Sequence, residues 1–360
     1  MFGFFITKSY LSVVSYISYV YLRFFRQWFE FLYCTLCSFI YQFYGITLII
    51  FGIMAHFFNY TSQSINNISL APFGLDAFYL NVVREDLLHP FVSGNKFRKL
   101  KYNLKAAQEQ NHTTLLTFGG AFSNHIAAVA AAGKELNFNT IGIIRGEELK
   151  SKIVENPTLS FAHDCGMKLY FVSREAYRQK TETEFIGDLK KQFGDFYILP
   201  EGGTNALAVQ GCEEILKDIS ENADYICVPV GTGGTMAGLV KASEEKQHIV
   251  GFSALKGTFQ SEEIEKYTSK TNFSITDAYC FGGYGKIDTD LIRFMNGFKN
   301  KTNIPLDPVY TGKMMFGIMD LLQKGYFKEN SRIFAVHTGG LQGIAGMNQR
   351  LKKKKLPIIE

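Results

Sequence analysis

The chain has 360 residues, with 38 Lys and Arg against 33 Asp and Glu and a net charge of +5. That length allows one large or two medium domains with a real core, and a charge so modest and dispersed speaks against a nucleic-acid partner. Six cysteines without regular spacing point to a reducing compartment, hence a cytoplasmic protein with no disulfide framework.

Residues 1–53 differ in kind from the remainder. They lack Asp, Asn and Pro, carry only Lys8, Arg23, Arg26 and Glu30 as charges, and are about one-third aromatic, against 15% for the whole chain. The run from Phe31 to Ala55 is uncharged and long enough to cross a bilayer. One reading is a membrane anchor, with Arg23 and Arg26 biasing their side toward the cytoplasm. The reading preferred here is upstream sequence ahead of a start at Met54, since ordinary globular composition begins there. Cys34-Thr35-Leu36-Cys37 has CxxC spacing but no second ligand pair, so zinc or redox chemistry is not expected of it.

Beyond that segment the chain reads as an α/β protein. Apolar runs at Ala77 to Val83, Thr114 to Phe118, Thr140 to Ile144, Lys168 to Val172, Phe196 to Leu199, Tyr225 to Val230, Ile249 to Ala254 and Arg332 to Val336 predict strands. Between them, Ser123 to Leu136, Lys180 to Phe193, Asn205 to Ile219 and Thr235 to Glu245 have helical periodicity. Strands apolar on both faces, alternating with helices, predict open, mostly parallel twisted sheets flanked by helices. With no linker in view, a small domain is expected at residues 101–192, nested in a large domain of residues 54–100 and 193–360.

The stretch Ser93-Gly94-Asn95-Lys96-Phe97-Arg98-Lys99-Leu100 follows the first run and a charged turn, Arg84-Glu85-Asp86. A lysine at a helix mouth can project into a cleft and lose its proton by desolvation, as a Schiff-base lysine must. Taken alone, Lys96, Lys99 and Lys101 read more simply as solvated lysines at a helix start.

Glycine-rich turns shift that balance. Gly119-Gly120-Ala121-Phe122-Ser123-Asn124-His125 follows one strand and opens an alanine-rich helix, whose free N–H groups suit a carboxylate. Gly231-Thr232-Gly233-Gly234-Thr235 offers consecutive backbone donors, two hydroxyls and a helix dipole, which suits a phosphate. It is neither a Walker A loop nor GxGxxG, because Met236 stands at the last glycine position. Glu201-Gly202-Gly203-Thr204-Asn205 and His337-Thr338-Gly339-Gly340 repeat the pattern. Four such loops are expected on one sheet edge, and with a lysine beside them they suit pyridoxal phosphate.

These segments, with Leu306-Asp307-Pro308-Val309-Tyr310-Thr311-Gly312-Lys313, resemble in order and spacing the pyridoxal-phosphate family of 1-aminocyclopropane-1-carboxylate deaminases and D-cysteine desulfhydrases, which has the tryptophan synthase β-like fold. The resemblance runs from about Met54 to the C-terminus. It implies that Lys96 holds the cofactor as a Schiff base and moves the α-proton, and that Lys99 helps the loop of Gly231, Thr232, Gly233, Gly234 and Thr235 hold the phosphate. Asn124 would bond the cofactor's phenolic oxygen, Ser123 the substrate carboxylate. Tyr310 would lie against the ring and Tyr284 face the substrate's β-carbon, with His125 and Thr338 also at the substrate.

Within the family, ring-opening deaminases resemble one another in a Glu after the active-site Tyr and a Leu before the late Gly-Gly. Thr311 and Thr338 stand there, the desulfhydrase pattern, with Thr311 beside the pyridine nitrogen; Ala127 and Ala128 depart from the Arg-Gln of many desulfhydrases. The expected activity is α,β-elimination of D-cysteine to pyruvate, hydrogen sulfide and ammonia, in a homodimer. The alternatives are 1-aminocyclopropane-1-carboxylate deamination or, should residues 1–53 be genuine, a membrane-anchored binding protein without turnover.

Overall fold

Residue alternation along the central strands explains the main layer of the protein. On Ile333–Val336, Ile333 and Ala335 pack into one apolar cluster while Phe334 and Val336 pack into another. A strand points successive side chains to opposite faces, so a run apolar throughout must be covered on both sides. The computed structural model describes residues 28, 54, 57, 58, 64–75, 78–219 and 222–360. Tyr60–Glu360 form one compact unit. The anchor and the CxxC pair proposed within residues 1–53 lie outside the described residues, which in that segment include only Trp28; Met54, the alternative start, is described and buried. Among the described residues, no helix is long and apolar enough to cross a membrane.

The chain order is β1 (Ser64–Ser69), β2 (Tyr79–Arg84), α1 (Asn95–Glu109), β3 (Thr114–Gly119), α2 (Asn124–Leu136), β4 (Asn139–Arg145), α3 (Pro157–Asp164) and β5 (Lys168–Val172). It continues with α4 (Arg174–Arg178), α5 (Thr183–Phe193), β6 (Tyr197–Leu199), α6 (Ala206–Glu213), β7 (Tyr225–Val230), α7 (Gly234–Ala242), β8 (His248–Ser253) and α8 (Gln260–Glu265). Last come β9 (Phe273–Thr276), α9 (Thr289–Thr302), α10 (Thr311–Gln323), β10 (Ile333–Val336) and α11 (Gly343–Lys353).

Two sheets result. One has six strands in the order β1-β2-β10-β7-β8-β9, parallel except for the β1–β2 pair; the other has four parallel strands in the order β5-β4-β3-β6. The expected α/β fold of two mostly parallel sheets is what forms. The strands of the second sheet come from residues 114–199.

The four glycine-rich turns do not share one sheet edge. Those at Gly119 and Glu201 follow β3 and β6 of the four-stranded sheet, whereas those at Gly231 and His337 follow β7 and β10 of the six-stranded sheet. Strand order across a crossover cannot be read from local apolar runs, so the expectation of a single edge gives way to two carboxyl edges that contribute to one cavity.

Candidate active site

The cavity is built on the start of α1. Gly94, its N-cap, has φ 64° and ψ −144°, and an added Cβ would stand 1.9 Å from the Thr338 carbonyl oxygen. Only glycine permits that backbone and that approach. The close contact brings the lysine turn against the loop after β10, where Asn95 N–H donates to Thr338 O at 3.3 Å.

Lys96 is partly buried and lines a cavity that is partly open to solvent. Its Nζ donates to Asn95 Oδ1 at 3.1 Å, and Asn95 Nδ2 donates to Thr235 Oγ1 at 2.7 Å. Desolvation lowers the Lys96 pKa to about 7, and repulsion from the Lys99 ammonium adds to the effect. Lys99 is only 2% exposed, and burial lowers its pKa too. Its Nζ donates to Gly202 O at 3.1 Å and Thr204 Oγ1 at 3.0 Å, and Thr204 Oγ1 in turn meets Thr232 Oγ1 at 2.6 Å. Neither lysine forms an ion pair with a carboxylate among the described residues, and the lining contains no Asp or Glu.

The buried Lys99 ammonium, without an acidic partner among the described residues, favours an anion from outside the chain. The loop after β7 is shaped to receive one. Gly233 caps α7, whose first-turn N–H groups lie at the positive end of the helix dipole. At Gly231 a Cβ would come 3.1 Å from Tyr310 Cε1, so the missing side chain leaves room for the phenol. His125 also lines the cavity, 1% exposed, with no hydrogen bond to either ring nitrogen. Burial pushes its pKa well below the usual value and the charges of Lys96 and Lys99 push the same way, so it is neutral; the Pro200 carbonyl acts weakly in the opposite sense.

Ser123 caps α2 by accepting from Ile126 N–H at 3.3 Å, and Asn124 Oδ1 accepts from Gln342 Nε2 at 3.1 Å. Tyr284 and Tyr310 meet edge to face, with centroids 6.1 Å apart and planes at 69°. Burial raises both phenol pKa values, so both stay protonated donors at neutral pH.

A model of the family described as "Pyridoxal-phosphate dependent enzyme" matches residues 75–339 of this chain. The chain belongs to that family. Among relatives, it is 31% identical over 292 residues to a Pyrococcus abyssi protein provisionally assigned as a 1-aminocyclopropane-1-carboxylate deaminase, covering 75% of this chain and 86% of that one. It is 29% identical to a mitochondrial Arabidopsis thaliana protein named as a bifunctional D-cysteine desulfhydrase/1-aminocyclopropane-1-carboxylate deaminase, covering 73% of this chain and 72% of that one. A crystal structure described as an ACC deaminase homologue matches with a TM-score of 0.71 and 26% identity, over 81% of this chain and 94% of that one. The fold is therefore the tryptophan synthase β-like fold of these pyridoxal-phosphate enzymes, and pyridoxal phosphate is the cofactor.

The residues present fit it. Lys96 is a readily deprotonated amine, Lys99 and the Gly231–Thr235 loop form an unneutralised cationic and N–H-rich end, and Tyr310 lies over Gly231. Of the residues expected at the site, Lys96, Lys99, Tyr284, Tyr310 and Thr338 line the cavity, as do Ser123, Asn124 and His125. From the phosphate loop, Gly231, Thr232, Gly233 and Thr235 line it. Gly234 does not; its Cα faces the Thr204 side chain, where a Cβ would sit 2.7 Å away.

Thr311 is the larger departure. It is fully buried outside the lining, and its hydroxyl is taken by Asp307, donating to Oδ1 at 3.0 Å and accepting from Asp307 N–H at 2.8 Å. The resemblance puts Thr311 beside the pyridine nitrogen, where the deaminases carry Glu; here its hydroxyl is engaged by Asp307, since neighbouring residues at a helix start point in different directions. Asn95, Thr204 and Gln342 have no role assigned by the sequence. Asn95 and Thr204 lie inside motifs that sequence singles out, whereas nothing local marks Gln342, which reaches Asn124 across the fold.

Proposed function

We propose that this protein catalyses α,β-elimination of D-cysteine to pyruvate, hydrogen sulfide and ammonia. The observation that carries the reading is the absence of Asp and Glu from the described lining. A buried carboxylate whose charge acts on Lys96, that of Asp307, is turned to its own helix start, accepting from the N–H groups of Val309, Tyr310 and Thr311.

Pyridoxal phosphate bound here supplies a carbonyl that attaches the amino acid's nitrogen and a ring that accepts the electron pair left at Cα. Without a carboxylate to keep its pyridine nitrogen protonated, that sink is weak. A weak sink suffices to expel a thiolate from Cβ and serves poorly for opening a carbon–carbon ring. This favours the sulfur substrate.

The chain's residues divide the remaining work. Ser123 and the N-terminus of α2 bind the substrate carboxylate, and that contact orients Cα toward Lys96. Lys96 Nζ, with a pKa lowered to about 7 and so about half neutral near that pH, takes the proton from Cα. Tyr284, a phenol protonated at neutral pH that lines the cavity, gives a proton to the departing sulfur. The Cβ–S bond breaks and 2-aminoacrylate leaves; water then adds to its imine form, giving pyruvate and ammonia.

Deamination of 1-aminocyclopropane-1-carboxylate is the second reading, favoured by the names of the relatives. Parallel assays of the purified holoenzyme separate the two. Sulfide release from D-cysteine at a rate well above ring opening is expected. Ring opening without sulfide release would contradict the assignment.

A further inference from the structure

Lys313 is 2% exposed in the first turn of α10, and its Nζ donates to Cys280 O at 2.8 Å and to Gly283 O at 2.9 Å. Those carbonyls bracket the tight turn that delivers Tyr284, itself closed by Gly283 N–H donating to Cys280 O at 3.0 Å. The turn has positive φ at Phe281 (51°), a conformation that costs energy in a non-glycine residue and persists where surrounding contacts fix it, and at Gly282 (84°) and Gly283 (119°), where glycine allows it.

Tyr310 caps the same helix three residues before Lys313. One helix start therefore carries Tyr310 directly and, through the Lys313 ammonium, reaches the backbone that carries Tyr284. Burial lowers the Lys313 pKa to about 8, a desolvation cost that a side chain merely filling space would avoid. Its N–H groups are engaged instead on the two carbonyls, and Met at this position would offer neither bond.

We propose that Lys313 is a positioning residue that fixes where Tyr284 stands over the cavity and couples its placement to that of Tyr310. The inference rests on the reading of Tyr284 as the residue facing the substrate.

The test places 3-fluorotyrosine at position 284 of the holoenzyme and follows its ¹⁹F resonance, alongside turnover of whichever amino acid the wild type consumes. In Lys313→Met, or in Lys313→Gln if the methionine variant does not fold, the resonance moves and kcat/KM falls by about 10-fold or more. The cofactor's visible spectrum stays that of the wild type. Adding Tyr284→Phe to the Lys313 variant costs no more than Tyr284→Phe alone, as expected of residues acting as one unit. A resonance that does not move, or losses that multiply in the double variant, overturns the proposal. Failure to turn over D-cysteine counts against the proposed reaction alone, because the fluorine resonance still decides the role of Lys313.

Discussion

Thr311 and Asp307 hold each other: the threonine hydroxyl donates to Asp307 Oδ1 at 3.0 Å and accepts from Asp307 N–H at 2.8 Å. Both residues are at most 1% exposed. The pair closes the start of α10 and engages the Asp307 carboxylate with the N–H groups and hydroxyl of that helix start.

Replacing Thr311 therefore acts on the helix start. Thr311→Val leaves the buried Asp307 N–H unpaired and costs about 1–3 kcal/mol in urea denaturation. Thr311→Glu puts a second carboxylate against Asp307 in a fully buried site, so it lowers stability further and does not confer ring opening. A stable Thr311→Glu enzyme that opens the cyclopropane ring would show that position 311 reaches the cofactor.

Lys99 is expected to act on cofactor affinity. Two of its three N–H donors go to Gly202 and Thr204, which leaves one for an anion in the cavity. Lys99→Met weakens pyridoxal-phosphate binding by about 10- to 100-fold, the worth of one charged hydrogen bond, in a fluorescence titration of the cofactor-free protein. Unchanged affinity would place the phosphate elsewhere.

Gly94 tests the docking of the lysine turn on the loop after β10. Gly94→Ala forces a Cβ onto the Thr338 carbonyl and strains a backbone at φ 64°, ψ −144°. The expected loss is about 3 kcal/mol or more, with weakened cofactor absorbance, because Lys96 moves with the turn.

Much of this framework is legible in the sequence. Tyr225–Val230 forms a strand over the full expected run, since an uninterrupted apolar segment bounded by loops has one way to be buried; Lys168–Val172 also forms over its full run, as a half-buried edge strand. β1, with the sequence SINNIS, is not legible; it is a polar, largely exposed edge strand with no apolar face to betray it. The helix expected from Asn205 to Ile219 keeps α-helical geometry only to Glu213 and tightens to a 3₁₀ helix over Glu214–Asp218, where Glu214 accepts from Lys101 and Tyr102. At the site, motif context identifies Lys96, Ser123 and the two tyrosines. Contacts distant in sequence, such as Gln342 on Asn124 and Lys313 on the Tyr284 turn, appear only once the chain is folded.

The lowered Lys96 pKa has a thermodynamic signature in the cofactor-free protein. The folded value is about 7 against an ordinary 10.5, so between those limits the unfolded chain binds a proton that the folded one lacks. Stability therefore rises with pH across that window, and the Lys96 contribution to the slope vanishes below about pH 7, where both states are protonated. The difference in unfolding free energy between wild type and Lys96→Met, measured by urea denaturation at stepped pH, should rise through the window and flatten below it. A difference independent of pH would mean that Lys96 is not desolvated.

The central claim meets its most direct test in product stoichiometry. Holoenzyme supplied with D-cysteine is expected to release sulfide, pyruvate and ammonia in equal amounts, and Lys96→Ala, loaded with the same cofactor, to release none above background. Sulfide release that survives loss of Lys96, or a wild type that yields no sulfide while consuming 1-aminocyclopropane-1-carboxylate, would contradict the account.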